Sequence, residues 1–135
     1  DYHGTVTAGV AEISVDRKTG KLKVHNYWVA VDPGLAVQPD SVLAQLEGGA
    51  VWGLSVALLE KATVKGGAIQ ETNYHDYPVL RMSEMPEIHT RLVKSDAPPT
   101  GMGEAGVVAV APAIANALFA LTGKRVRELP MRPER

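Results

Sequence analysis

A single carboxylate lies among glycines, prolines and small apolar residues in the second half of the chain. In the segment PPTGMGEAGVVAVAP, residues 98–112, Glu104 is the only charged residue. A carboxylate in a restricted cleft suits proton transfer, because its surroundings tune its affinity for a proton. The simpler interpretation is an acidic residue at a helix N-terminus, where the macrodipole favours negative charge. Local physics favours the simpler interpretation, although a capping acid does not need the preceding TGMG.

Gln45 and Glu47, in AQLEGG, are a second pair of polar residues that could do chemistry. They precede Gly48 and Gly49 inside a segment with helical apolar spacing. Residues two apart on a helix point to different sides, so the pair taken alone is ordinary solvated surface. A glycine inside a helix costs about 1 kcal/mol relative to alanine, and a helix keeps it where another backbone or a ligand comes close. The glycines therefore predict a close approach at the start of this helix.

His75, Asp76 and His89 carry the side chains of a possible metal site. Their spacing matches no standard site, so packing or loop hydrogen bonding is the favoured role, and a metal-binding module is the weaker alternative. The sequence contains no Ser–His–Asp arrangement, phosphate-binding loop or dinucleotide fingerprint. The chain has no cysteine, which excludes disulfides, thiolate nucleophiles and cysteine ligands for iron–sulfur clusters within it.

Length and charge narrow the classes of protein further. The 135 residues suffice for one domain with a core, and the net charge is −1, from 14 basic and 15 acidic residues. This balance predicts no attraction to nucleic acid. No segment is predicted to be a transmembrane span, and the opening DYHGTVTAGV does not have the pattern of a signal peptide.

The elements that must position these residues follow from hydrophobic periodicity and turn residues. A hairpin is predicted over GTVTAGVAEISVDRKTGKLKVHNYWVAVD, and a helix over SVLAQLEGGAVWGLSVALLEK with Asp40 or Ser41 as its N-cap. A short hairpin turning at residues 66–67, a strand over EIHTRLVKS and a helix over VVAVAPAIANALFALTG follow. Pro112 is predicted in the first turn of that helix and Gly123 at its C-cap, with KRVRELPM as a final strand or extended tail. Two hairpins and two main helices, without regular alternation of strand and helix, indicate an α+β fold.

Three separated segments carry a family resemblance: VDPGLAVQPDSVLAQLEGGAVWGLSVAL, NYHDYPVLRMSEMPEI and GMGEAGVVAVAPAIANALFALTGKRVRELP, in this order. Together they resemble the C-terminal part of the molybdopterin-binding subunit of the xanthine dehydrogenase/aldehyde oxidase family. HDYPVLRM is similar to the branch of isoquinoline 1-oxidoreductase and membrane aldehyde dehydrogenase. The resemblance predicts that residues 1–135 are the C-terminal segment, or lobe, of a molybdenum-cofactor-binding domain.

The resemblance implies a molybdenum hydroxylase that oxidises an aldehyde or an N-heterocycle with water-derived oxygen. Glu104 in GMGE matches the general-base glutamate of the family, which takes the proton from the oxygen nucleophile. Gln45 matches a glutamine that contacts the pterin, because an amide both donates and accepts as a pterin edge requires. The cofactor contacts that the resemblance implies are Gln45, Gly48, Gly49, Gly103 and Ala105.

The resemblance also implies a cofactor and partners. The cofactor is molybdopterin with molybdenum, in the cytosine dinucleotide form, and no residue of this chain is an implied metal ligand. The partners are the rest of the molybdenum-binding subunit, an iron–sulfur subunit or domain, and a cytochrome or flavin subunit. The branch favours a periplasmic or membrane-associated location, with the cytoplasm as the alternative. The alternative function is a catalytically silent assembly or docking module of a larger oxidoreductase complex.

Overall fold

The computed structural model describes residues 4–133. The strands are β1 (Val6–Val15), β2 (Leu22–Asp32), β3 (Val64–Lys65), β4 (Ala68–Ile69) and β5 (Glu87–Leu92). The helices are α1 (Pro39–Leu58), the one-turn α2 (Ala105–Val108) and α3 (Val110–Thr122), with a 3₁₀ turn at Met82–Glu84. Both predicted hairpins are present, as β1–β2 and β3–β4, which confirms the α+β class.

A three-stranded sheet of order β1-β2-β5 supports the helices on one face. β2 pairs antiparallel with β1 and parallel with β5. Side chains from the covered face of β2 and from α1 and α3 form the core. The largest fully buried ones are Tyr27, Leu46, Leu54, Ile114, Val29, Val31 and Val110. The opposite face of the sheet presents Val10 and Trp28, which are 63% and 42% exposed.

A β-bulge explains the one irregularity in the alternating pattern of β2. Val24 and Tyr27 are both buried although three positions separate them. The pairing register shifts between Glu12 and Ile13, which face Asn26 and Val24, so that His25 is the extra residue. The bulge therefore returns both apolar side chains to the core.

The start of α1 differs from the prediction, because neither Asp40 nor Ser41 is the N-cap. The cap is Gln38, and Pro39 is the first residue of the helix. Proline suits this position because its fixed φ matches the helix and its missing N–H would have no partner within the helix. Asp40 lies in the first turn, where the macrodipole favours its charge.

The predicted single helix after Glu104 is in fact two helices, interrupted at Ala109. Pro112 has no N–H to donate to the carbonyl of Val108, four residues earlier, and its ring crowds that carbonyl. An uninterrupted helix through this segment is therefore unfavourable. Pro112 does lie in the first turn of α3, and Gly123 ends that helix with φ of 72°, as predicted.

The segment after α3 bends at residues 128–130 and forms no strand up to residue 133. Its Met131 N–H donates to the Ala57 carbonyl at 2.7 Å, and the Met131 side chain is buried. The tail thus closes the core at the C-terminal end of α1.

Contrary to the sequence-based expectation, two helical stretches are long and apolar enough to cross a membrane by length and composition alone. They are Pro39–Leu58 and Ala105–Thr122, which are 33% and 28% buried within the described residues. Both supply side chains to the shared core, and core helices of this kind pass the same test.

Candidate functional site

Three glycines allow α1 to pack against α2 and the start of α3 at backbone distance. A Cβ at Gly49 would lie 2.8 Å from the Cα of Gly106, and a Cβ at Gly106 would lie 2.6 Å from the carbonyl oxygen of Leu46. A Cβ at Gly53 would lie 2.7 Å from Cγ2 of Val110. Contacts this short exclude any larger residue unless the backbone moves. We call Gly49, Gly53 and Gly106 the glycine junction.

The glycine junction places two segments that are distant in sequence side by side. Gly106 lies two residues after Glu104, and Gly49 lies one helical turn after Gln45 on the same face of α1. The side chains of Gln45 and Glu104 are both exposed. The close approach predicted from Gly48 and Gly49 is confirmed at Gly49, where the partner is the backbone of Gly106, and is wrong at Gly48, where the protein leaves open space.

Open space lies beside the remaining glycines of these two segments. A Cβ built at Gly48, Gly101 or Gly103 would meet no atom within 4 Å. An exposed amide and an exposed carboxylate therefore stand next to backbone that carries no side chain. This donor and acceptor set fits a pterin cofactor, because the edge of a pterin both donates and accepts hydrogen bonds.

Glu104 occupies the N-cap position of α2 with φ of −121°, and its side chain makes no capping hydrogen bond. Its backbone carbonyl accepts from the Val107 N–H at 3.0 Å. The simpler interpretation correctly places an acidic residue at a helix start. It does not explain why the side chain at this position is charged, because a helix of one turn has only a small dipole to favour the charge.

Glu47 points away from the segment of Glu104. The Thr90 hydroxyl donates to Oε1 of Glu47 at 3.3 Å, which directs that carboxylate toward β5. The prediction that Gln45 and Glu47 lie on different sides of the helix agrees with this contact. Glu47 is thus a glutamate close to the candidate site in sequence and outside it in space.

The three candidate metal ligands have other partners. His89 stacks on Trp28 with ring centroids 5.2 Å apart, and its Nε2 lies 2.9 Å from Oδ1 of Asn26. His75 Nε2 lies 3.0 Å from the Asp76 carboxylate in an exposed loop. Among residues 4–133, no group of three or more His, Asp or Glu side chains is placed to hold a metal ion. The metal-module alternative has no support in this part of the chain.

A groove of about 690 Å³ lies beside the C-terminal end of α1. Leu54, Leu58 and Met131 line it together with charged residues such as Lys23. It contains none of the predicted site residues, so the candidate site is an exposed surface.

Burial has one clear effect on a titratable group close to α2. The Tyr27 side chain is fully buried, and burial raises the pKa of its phenol to about 12. A Cβ at Gly9 of β1 would contact Cζ of Tyr27 at 3.1 Å and Cβ of Ala109 at 3.2 Å. Tyr27 therefore packs beneath the break between α2 and α3.

Sequence reasoning missed residues on both sides of Glu104. Gly106 was the nearer one, and its signal was a second small residue after the glutamate in GEAG. Thr100 was the other, and nothing in PPTG reveals that its hydroxyl bonds to the distant Pro33 carbonyl at 2.9 Å.

Gln45 and Glu104 thus lie exposed on two adjacent segments beside bare backbone, on a sheet covered by helices on one face. The chain belongs to the molybdopterin cofactor-binding domain family, whose sequence model matches residues 2–86. The match includes Gln45, Gly48 and Gly49 and ends before Glu104.

Sequence similarity to related proteins extends over the rest of the chain. Isoquinoline 1-oxidoreductase subunit beta from Brevundimonas diminuta is 48% identical over 132 residues, which is 98% of this chain and 17% of that protein. The membrane-bound aldehyde dehydrogenase [pyrroloquinoline-quinone] of Gluconacetobacter polyoxogenes is 40% identical over 92% of this chain and 16% of that protein. The chain spans about a sixth of the length of these curated relatives.

A solved structure has the same fold. The aldehyde oxidoreductase from Desulfovibrio desulfuricans superposes with a TM-score of 0.83 at 25% identity, over 96% of this chain and 15% of that one. The β1-β2-β5 sheet with its helices is thus the architecture of a segment within a much larger oxidoreductase.

Proposed function

We propose that this chain is part of a molybdenum hydroxylase that oxidises an aldehyde or an N-heterocycle, with Glu104 as general base and Gln45 as a pterin contact. The observation that carries the proposal is the glycine junction, which sets these two polar side chains on adjacent segments with open space beside them. The names of the relatives, an isoquinoline oxidoreductase and an aldehyde dehydrogenase, support the substrate classes.

The pterin-bound molybdenum, when present, supplies the two-electron oxidation. The carboxylate of Glu104 accepts the proton of the water-derived nucleophile, which makes that oxygen a better donor of electrons to the substrate carbon. The amide of Gln45 donates and accepts hydrogen bonds at the pterin edge and so fixes its orientation. Gly48 and Gly103 contribute unobstructed backbone, Gly49 lets α1 approach Gly106 beside Glu104, and the backbone of Ala105 is proposed as a further cofactor contact.

The cofactor form and the partners belong to the same proposal. We infer the cytosine dinucleotide form of molybdopterin, with electrons leaving through iron–sulfur clusters on another domain or subunit, and onward to a cytochrome or flavin subunit. The rest of the molybdenum-binding subunit would cover the exposed carboxylate of Glu104. We also propose a periplasmic or membrane-associated location, for which the support is a relative named as membrane-bound.

The test is Glu104→Gln in the assembled enzyme that contains this chain. A glutamine keeps the shape and removes the base, so kcat is expected to fall by about 10²- to 10⁴-fold. Molybdenum content should be unchanged. Glu47→Gln is the matched control, because Glu47 bonds to Thr90 and points away from the segment of Glu104.

Two results would contradict the proposal. Full turnover by the Glu104→Gln enzyme would remove the base role and favour the silent assembly module. Normal molybdenum content and turnover in a Gln45→Ala enzyme would remove the pterin contact.

A further inference from the structure

The loop that leads from β5 to Glu104 is attached at Thr100 to the residue that follows β2. The backbone N–H of Thr100 donates to the Pro33 carbonyl at 2.8 Å, and the Thr100 hydroxyl donates to the same oxygen at 2.9 Å. One carbonyl therefore accepts two hydrogen bonds from one residue. This contact fixes both the backbone and the χ1 angle of Thr100.

The N-terminal end of β1 joins the same cluster through Thr5. Its Oγ1 lies 2.5 Å from Oγ1 of Thr100 and donates to the Gly101 carbonyl at 2.7 Å. Each hydroxyl has one proton and can accept more than one bond, so two protons are shared among three contacts. We call Thr5, Pro33 and Thr100 the threonine clip.

The backbone around the threonine clip is shaped for this contact. Gly34 has φ of 73°, and a Cβ there would collide with the Pro98 carbonyl. The Leu35 N–H donates to the Ala97 carbonyl at 2.9 Å, and the Gly34 N–H donates to Oδ1 of Asp32 at 3.0 Å. The Leu35–Ala97 bond thus joins the loops that follow β2 and β5 beside the clip, and the Gly34–Asp32 bond holds the turn at the end of β2.

Glu104 stands between two fixed points. The threonine clip holds the chain up to Gly101, and the glycine junction holds it again at Gly106. Between them, Gly101 and Gly103 have open space around their Cα atoms. Met102, between these two glycines, packs against the core, so the backbone that carries Glu104 is held by the threonine clip before it and by the glycine junction after it.

We propose that Thr100 and Thr5 are positioning residues for the Glu104 carboxylate, acting through the Pro33 and Gly101 carbonyls. This inference rests on the proposed function. Proton transfer requires the carboxylate oxygen within about 2.6–3.2 Å of the oxygen that loses the proton. A displacement of about 1 Å, caused by a change remote from the chemistry, lowers the rate by up to about 100-fold. The clip contacts residues 100 and 101, three to four positions before Glu104.

The experiment compares Thr100→Val with Thr100→Ser. Valine has a similar shape and no hydroxyl, while its backbone N–H still satisfies the Pro33 carbonyl, so the fold is expected to persist. Serine keeps the hydroxyl. In the full chain, hydrogen exchange at the Leu35 amide and at the position-100 amide should be about 10-fold faster with valine and within about 2-fold of the parent with serine, as expected for the loss of a hydrogen bond.

The same variants are then assayed in the assembled enzyme. Thr100→Val should lower kcat by about 10- to 100-fold with KM within about 2-fold, and Thr100→Ser should restore it. If Thr100→Val does not fold, the pair Thr5→Val and Thr5→Ser gives the same comparison.

The outcomes are distinct from those of the Glu104→Gln test. Faster exchange with unchanged kcat would show a clip without a positioning role and overturn the inference. Unchanged hydrogen-exchange rates in Thr100→Val would overturn the inference as well, because the Thr100 hydroxyl would then not stabilise the loop. If Glu104→Gln keeps full turnover, the proposed function fails, whereas the exchange rates still report whether the clip exists.

Discussion

Glycines on either side of the candidate site differ in what surrounds them. At Gly49, Gly53 and Gly106 of the glycine junction, an added Cβ would lie 2.8, 2.7 and 2.6 Å from a neighbouring atom. At Gly48, Gly101 and Gly103 it would meet nothing within 4 Å. The protein itself explains why the first set has no side chain. It does not explain the second set, and at Gly48 the helix loses about 1 kcal/mol relative to alanine with no packing in return. This difference is what supports a bound group beside Gly48.

Gly106→Ala should have the largest effect on the glycine junction. The new Cβ would lie 2.6 Å from the Leu46 carbonyl and 3.0 Å from the Gly49 Cα, both rigid backbone atoms. We expect the free energy of unfolding to fall by about 3 kcal/mol, measured by urea denaturation. Gly103→Ala is the control and should stay within about 0.5 kcal/mol of the parent. Equal effects of the two substitutions would mean that the two sets of glycines do not differ.

Close packing beside the glycine junction extends to Tyr27, which lies beneath Ala109. The unfolded phenol ionises near pH 10, whereas the folded one keeps its proton until about pH 12 because burial raises its pKa. The contribution of the protonated Tyr27 phenol to the free energy of unfolding is therefore fully present below pH 10, and it is lost as the pH rises through the folded pKa. The free energy of unfolding should decrease by up to about 3 kcal/mol over that window.

Alkaline unfolding of Tyr27→Phe checks this prediction. The phenylalanine variant should lack this part of the pH dependence, and Tyr74→Phe should keep it, because Tyr74 is 94% exposed. The Tyr27 hydroxyl has no hydrogen-bond partner within residues 4–133, so its removal should not destabilise the protein at pH 7. The same alkaline slope in both variants would show that Tyr27 is not the group responsible.

The smallest effect is expected at Gly48, one of the glycines that have open space beside them. Gly48→Ala should stabilise the chain by about 1 kcal/mol, because alanine is the better helix former and finds open space. In the assembled enzyme the same substitution should lower molybdenum content, if a cofactor occupies that space. Gly49→Ala is the matched control and should destabilise, since its Cβ would meet the Gly106 Cα at 2.8 Å. A Gly48→Ala enzyme with full molybdenum content would remove Gly48 from the site.

Local signals in the sequence were sufficient for most elements of the fold. The glycine pair at residues 66–67 and the alternation in β1 predicted both hairpins, because turn geometry and strand periodicity are local properties. The bulge at His25 and the interruption at Ala109 were not predicted. The bulge depends on the register of the partner strand, and the interruption depends on how Pro112 conflicts with a carbonyl one turn earlier.

The candidate site was predictable as separate parts and not as an arrangement. Glu104 and Gln45 could be selected by motif, and the glycines of α1 predicted a close contact. That the contact is with Gly106 follows only from the fold, since no periodicity relates α1 to a turn that lies beyond β5. Thr100 was missed for the same reason, because its partners are Thr5 and Pro33.

The threonine clip has a consequence for the order of folding. Its residues are far apart in sequence: Thr5 and Thr100 are separated by 95 positions, and Thr100 and Pro33 by 67. Closing loops of this length costs chain entropy before any contact compensates, so such contacts form late. We expect the β1–β2 hairpin, whose contacts are local, to form before β5 pairs with β2 and before the threonine clip closes, because both of these later contacts join residues more than 60 positions apart. The turn that carries Glu104 is therefore fixed only when the sheet is complete.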